Sequence, residues 1–167
     1  DINELEVAAA SLGQSVDIAV LWDQSEAIGP YSTGHESQAA WASTGRAIIE
    51  PDGDLCISPN NTWIDCSIKT SFEILGEKNT RDPTTLTEFI DWTAQTVPAD
   101  NYALIMWNHG GGLEGFNIDK DGVPGTEDRM TATELVQALE NTAVEIDVLA
   151  FDACQMASLE TAYLVKD

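Results

Sequence analysis

Two short apolar runs, Tyr102-Ala-Leu-Ile-Met-Trp107 and Ile146-Asp-Val-Leu-Ala-Phe151, constrain the fold more than anything else in the chain. Each has the length and the branched or aromatic content of a buried strand. Between them, Thr131-Ala-Thr-Glu134 resembles a capping box, and Leu135, Val136, Ala138 and Leu139 fall on one side of the helix it opens. Strand, helical crossover and strand make the two runs neighbours in a parallel sheet. The same alternation holds upstream. Ile2, Leu5, Val7, Ala8 and Leu12 mark a helix stopped at Gly13, followed by strands at Val16–Trp22 and Arg46–Glu50. Ile68–Leu75 carries no clear period. Asp82-Pro83 opens a helix through Leu86, Phe89, Ile90 and Ala94 that ends before Pro98. The expectation is an α/β fold with a mainly parallel sheet and helices on its faces.

Both apolar runs lead into reactive side chains. Asn108-His109-Gly-Gly-Gly112 follows the first, and Asp152-Ala153-Cys154 follows the second. The carboxyl ends of parallel strands are where open α/β sheets bind ligands. A thiol of ordinary pKa, about 8.5, needs a neighbouring imidazole or cationic field to act as a nucleophile at neutral pH. The glycines after His109 let a substrate backbone approach and can offer N–H groups to an oxyanion. From the spacing alone, a Cys/His dyad stands beside a structural thiol and a surface histidine. His35, in the polar stretch Thr-Gly-His-Glu-Ser, has no ligand-like neighbours and reads as surface.

Charge narrows the partners. Seven Lys and Arg against 29 Asp and Glu give a net charge of −22, with no basic cluster to offset it. Such a field repels phosphate backbones, so nucleic acid and anionic membrane surfaces are not expected partners. No apolar run reaches the roughly 20 residues of a membrane span. Cys56 and Cys66 flank a turn-rich segment, where a hairpin would join them in a disulfide and imply an oxidising compartment; the alternative is two free thiols.

The segments 102–112 and 146–156 resemble the histidine and cysteine motifs of the clostripain-like cysteine peptidases, relatives of gingipains, legumains and caspases. Supporting similarity lies in Gly76-Glu-Lys-Asn79, Asp82-Pro83, Val97-Pro-Ala-Asp100, Met130-Thr-Ala-Thr-Glu-Leu135 and Glu160 with Ala162-Tyr163. The resemblance implies a caspase-like three-layer α/β/α sandwich and a secreted, periplasmic or cell-surface cysteine endopeptidase that cleaves after Arg or Lys. Cys154 resembles the nucleophile and His109 the acid/base residue. Asp152 resembles the acid at the base of the pocket for a basic P1 side chain, where a carboxylate would pair with guanidinium or ammonium. Gly110 and the Cys154 amide take the place of the oxyanion hole. A catalytically inactive, calcium-dependent binding module is the alternative from another class.

Asn117, Asp119, Asp121, Gly122, Val123 and Asp128 follow the spacing of a calcium loop, with Asp128 where the twelfth ligand falls. No helix pattern precedes it, unlike an EF-hand, and a solvated acidic loop is the other reading. Calcium-dependent members of the family favour a bound Ca²⁺, held by Asn117, Asp119, Asp121, Val123 and Asp128; no organic cofactor is expected. Residues 1–167 then read as one peptidase domain. Relative to the family pattern, further strands are expected before residue 1 and after residue 167, in a zymogen-derived protein whose second chain stays associated.

Overall fold

The computed structural model describes residues 2–23, 43–53, 68–119 and 129–166. They divide into two compact units, Asp1–Lys78 and Asn79–Asp167.

The first unit opens with α1 (Ile2–Leu12), and Gly13, at φ 66°, starts the 3₁₀ turn that ends it. Strands β1 (Ala19–Asp23), β2 (Thr44–Ile48) and β3 (Glu73–Gly76) form a three-stranded sheet in that order. Both pairings are antiparallel. Apolar periodicity marks which segments are strands but carries no sign for strand direction, so the alternation that suggested parallel pairing did not reach this sheet. Arg46 pairs across the register with Glu73, and Arg46 Nε donates to Glu73 Oε2 at 2.8 Å. That bond holds the exposed Glu73 carboxyl below the ordinary range.

The buried face of α1 departs from the expected apolar set. It comprises Ile2, Asn3, Glu6 and Ala9, while Leu12 is 48% exposed. Glu6 is fully buried because Oε1 accepts both the Thr70 N–H and the Thr70 hydroxyl, each at 2.7 Å. These two bonds tie the helix to the segment leading into β3, while the equally buried Oε2 accepts no hydrogen bond among the described residues.

The second unit holds the two apolar runs, which form β4 (Ala103–Trp107) and β7 (Val148–Asp152) in parallel register. Helix α2 (Pro83–Thr96) begins where Asp82 accepts the Thr84 N–H at 2.8 Å. Helix α3 (Ala132–Glu140) starts at the expected capping box, with Thr131 and Glu134 each accepting the other's backbone N–H. Between β4 and α3, β5 (Phe116–Ile118) and β6 (Arg129–Met130) pair antiparallel; α4 (Leu159–Leu164) follows β7.

Leu86, Ile90, Leu104, Met106, Phe116, Met130, Leu135, Ala138 and Met156 form the core of this unit. Phe116 meets Phe151 edge to face at 5.2 Å. β4, expected as a strand buried throughout, alternates instead. Leu104 and Met106 lie in the core, whereas Ile105 and Trp107 are 66% and 72% exposed. Successive side chains of a strand point to opposite faces, and only one face of this pair is covered among the described residues.

Candidate active site

Register is set at the start of β4 and β7. Asp147 Oδ2 accepts the Tyr102 N–H at 2.8 Å, and the Tyr102 carbonyl accepts from the N–H groups of Asp147 and Val148. From there Ala103 pairs with Val148, and Trp107 with Asp152. His109 stands two positions beyond Trp107 and Cys154 two beyond Asp152, so imidazole and thiol leave neighbouring strands at the same level. Both residues are exposed, and Cys154 is a free thiol.

The turns that carry them are in contact. A Cβ placed on Gly110 would overlap the Cys154 carbonyl oxygen and lie 3.1 Å from Cys154 N. Only a residue without a side chain allows the histidine turn to lie against the cysteine turn in this way. Gly112, at φ 63°, continues the contact, since a Cβ there would come within 3.3 Å of the Gln155 carbonyl. Gln155 itself adopts φ 61°, an uncommon conformation for a side-chain-bearing residue, immediately after the thiol. This turn redirects the chain from β7 toward Met156, which is buried. Gly110 also bridges to Phe116, with the Gly111 N–H bonded to the Gly115 carbonyl at 2.9 Å. Asp152, at the last position of β7, is exposed.

Asn108 and Asn117 join this region without having been singled out for it. Asn108 Oδ1 accepts the His109 N–H at 2.5 Å, and Asn108 Nδ2 donates to Asn117 Oδ1 and the Ile118 carbonyl, each at 3.3 Å. The sequence holds one usable signal: asparagine is over-represented in the left-handed conformation, and Asn117 has φ 57°.

Of the five residues in the proposed calcium set, Asn117 and Asp119 fall within the described structure; Asp121, Val123 and Asp128 lie outside it. Asp119 is buried, with Oδ2 accepting the Thr80 N–H at 2.9 Å. Metal-ligating carboxylates are commonly oriented by such hydrogen bonds, and an amide or carboxylate oxygen can accept one while presenting its other lone pair. The two residues are compatible with oxygen ligation. Cys56 and Cys66, together with His35, lie outside the described residues.

Fold and site define a class: an α/β protein of caspase-like architecture, with a thiol and an imidazole beyond the ends of two adjacent parallel strands. Over residues 1–167 the chain matches the family model described as the clostripain family, peptidase family C11, and it belongs to that family. It is 37% identical to clostripain of Hathewaya histolytica in an alignment 101 residues long that covers 52% of this chain and 18% of that protein. A secreted C11 cysteine protease of Bacteroides thetaiotaomicron, solved with an irreversible peptide inhibitor, shares the fold. The TM-score is 0.60 at 19% identity, covering 98% of this chain and 40% of that one. The chain thus spans well under half the length of either relative. Among the described residues, no helix is long and apolar enough to cross a membrane.

Proposed function

We propose that this chain carries the catalytic portion of a secreted cysteine endopeptidase that cleaves after Arg or Lys. The observation behind this reading is the level placement of His109 and Cys154, with the Gly110 backbone lying against Cys154. In the proposed reaction the Cys154 thiolate attacks the scissile carbonyl carbon. The N–H groups of Gly110 and Cys154 stabilise the resulting oxyanion. His109 protonates the leaving amine as the C–N bond breaks, leaving an acyl-enzyme. Water then attacks the thioester, giving a proton to His109, and the carboxylic acid product leaves with Cys154 restored. Asp152 binds the P1 guanidinium or ammonium. A precursor cut into associated chains accords with the family resemblance.

The test is an irreversible peptide inhibitor with Arg or Lys at P1, applied to the complete protein, with the adduct located by peptide mass mapping. A single adduct on Cys154 is expected. Asp152→Asn should slow labelling by the basic inhibitor about 10- to 100-fold, corresponding to one charge-assisted hydrogen bond of about 1.5–3 kcal/mol. Labelling by a neutral-P1 analogue should change far less. Absence of any adduct would favour the inactive binding module.

Calcium belongs to the same proposal. Asn117 and Asp119, with residues of the segment that follows, would hold the ion, which would supply fixed positive charge between the catalytic strands. At calcium a hundredfold above its dissociation constant, binding would add about 2.7 kcal/mol to stability. Chelation is expected to lower the melting temperature by several degrees, as followed by scanning calorimetry. An unchanged melting temperature and unchanged activity would remove calcium from the account.

A further inference from the structure

The backbone of His109 is held by two asparagines. Its N–H donates to Asn108 Oδ1 at 2.5 Å, and its carbonyl accepts the Asn117 N–H at 3.0 Å. The asparagines are bound to each other, Asn108 Nδ2 to Asn117 Oδ1 at 3.3 Å. Asn117 is anchored in turn by Nδ2 on the Thr80 carbonyl at 2.6 Å, just before α2. The second Asn108 Nδ2 bond, to the Ile118 carbonyl, fastens the same amide to β5.

The arrangement matters because His109 is exposed. An exposed imidazole can be placed reproducibly only by fixing the backbone from which it projects. With both peptide polar groups of His109 bonded, the Cα–Cβ direction is set and two side-chain torsions remain. Proton donation to a departing nitrogen requires heavy atoms within about 2.6–3.2 Å, so a small backbone displacement carries a large kinetic penalty.

We infer that Asn108 and Asn117 are positioning residues that aim His109 at the leaving group, an inference resting on the Cys154/His109 reading above. The positive φ of Asn117 sets its side chain relative to the N–H bonded to His109, and the amide spans Asn108 and Thr80. Protonation of the leaving group is decisive for an amide, whose nitrogen departs poorly as an anion. A 4-nitrophenyl ester releases a stable phenolate and needs no such proton. Loss of aim at His109 therefore separates the two substrates, while general disturbance of the fold does not.

The experiment uses the complete protein with a peptidyl amide and a 4-nitrophenyl ester of the same Arg-terminated peptide, comparing kcat/KM, which reports acylation for both. His109→Ala calibrates the scale and is expected to lower the amide-to-ester ratio at least about 100-fold. Asn108→Ala and Asn117→Gly should each lower it about tenfold. Glycine permits the Asn117 backbone conformation and keeps its N–H, so that variant removes the amide alone. Asn108→Asp keeps the acceptor for the His109 N–H and should recover part of the ratio. An unchanged ratio in both asparagine variants, or equal losses on amide and ester, overturns the positioning role. An unchanged ratio in His109→Ala instead overturns the Cys/His reading, and the inference with it.

Discussion

Cys154→Ala is expected to lower peptide hydrolysis by at least about 10⁴-fold, the scale on which removal of a covalent nucleophile acts, while thermal unfolding stays within about 0.5 kcal/mol of the parent. The second half follows from burial. Cys154 is exposed and free, so truncating its side chain opens no cavity in the core around Met156 and Phe116. Alanine also suits the turn, because the uncommon backbone conformation belongs to Gln155. A steady-state assay paired with scanning calorimetry checks both halves. Activity within tenfold of the parent would move the nucleophile elsewhere; a large drop in melting temperature would make the thiol a packing residue.

Gly110→Ala is expected to lower activity on the order of 100-fold by a different route. The added methyl would overlap the Cys154 carbonyl oxygen. That neighbour is backbone, and no rotamer change relieves the clash. One of the two turns must therefore move, and with it the spacing of thiol and imidazole. A displacement of about 1 Å in a reacting geometry costs on the order of 100-fold in rate. The overlap itself should cost about 1–3 kcal/mol of stability. The measurement is again kcat/KM beside calorimetry, together with the rate of Cys154 alkylation by iodoacetamide. Retention of full activity would mean that the two turns are not held in contact when substrate is bound.

Sequence patterns carried the second unit further than the first. The Asp82-Pro83 start and the Thr131/Glu134 box are local devices, formed within a few residues by groups able to reach only one another, and both lie where the sequence put them. The β4–α3–β7 crossover followed from apolar run length and helical period. What escaped depends on partners distant in the chain. Glu6 gives no sign of burial until Thr70 is beside it, and nothing in Thr44–Ile48 indicates the direction in which it pairs. The asparagines behaved likewise. The spacing that suggested Asn117 as a metal ligand is silent on its amide contacts, which depend on the meeting of β4, β5 and the approach to α2. The placement of His109 and Cys154 at one sheet edge was legible because adjacent parallel strands hold their ends together in such a crossover, while the roles expected of them came from the family resemblance.

The hydrogen bonds between Tyr102 and Asp147 lie at the opposite end of β4 and β7 from the thiol and imidazole. The five paired residues between the two ends, at about 3.3 Å each, span roughly 17 Å. The strand pair thus acts as a gauge block, with its zero at one end and its working tolerance at the other. A slip of one residue would displace the thiol by about 3.3 Å relative to the imidazole and send β7 side chains to the wrong face. With alignment fixed so far from the thiol and imidazole, the turns that carry them are relieved of that duty. Those turns can therefore change in sequence, provided their glycine contacts remain, without disturbing the placement of His109 and Cys154.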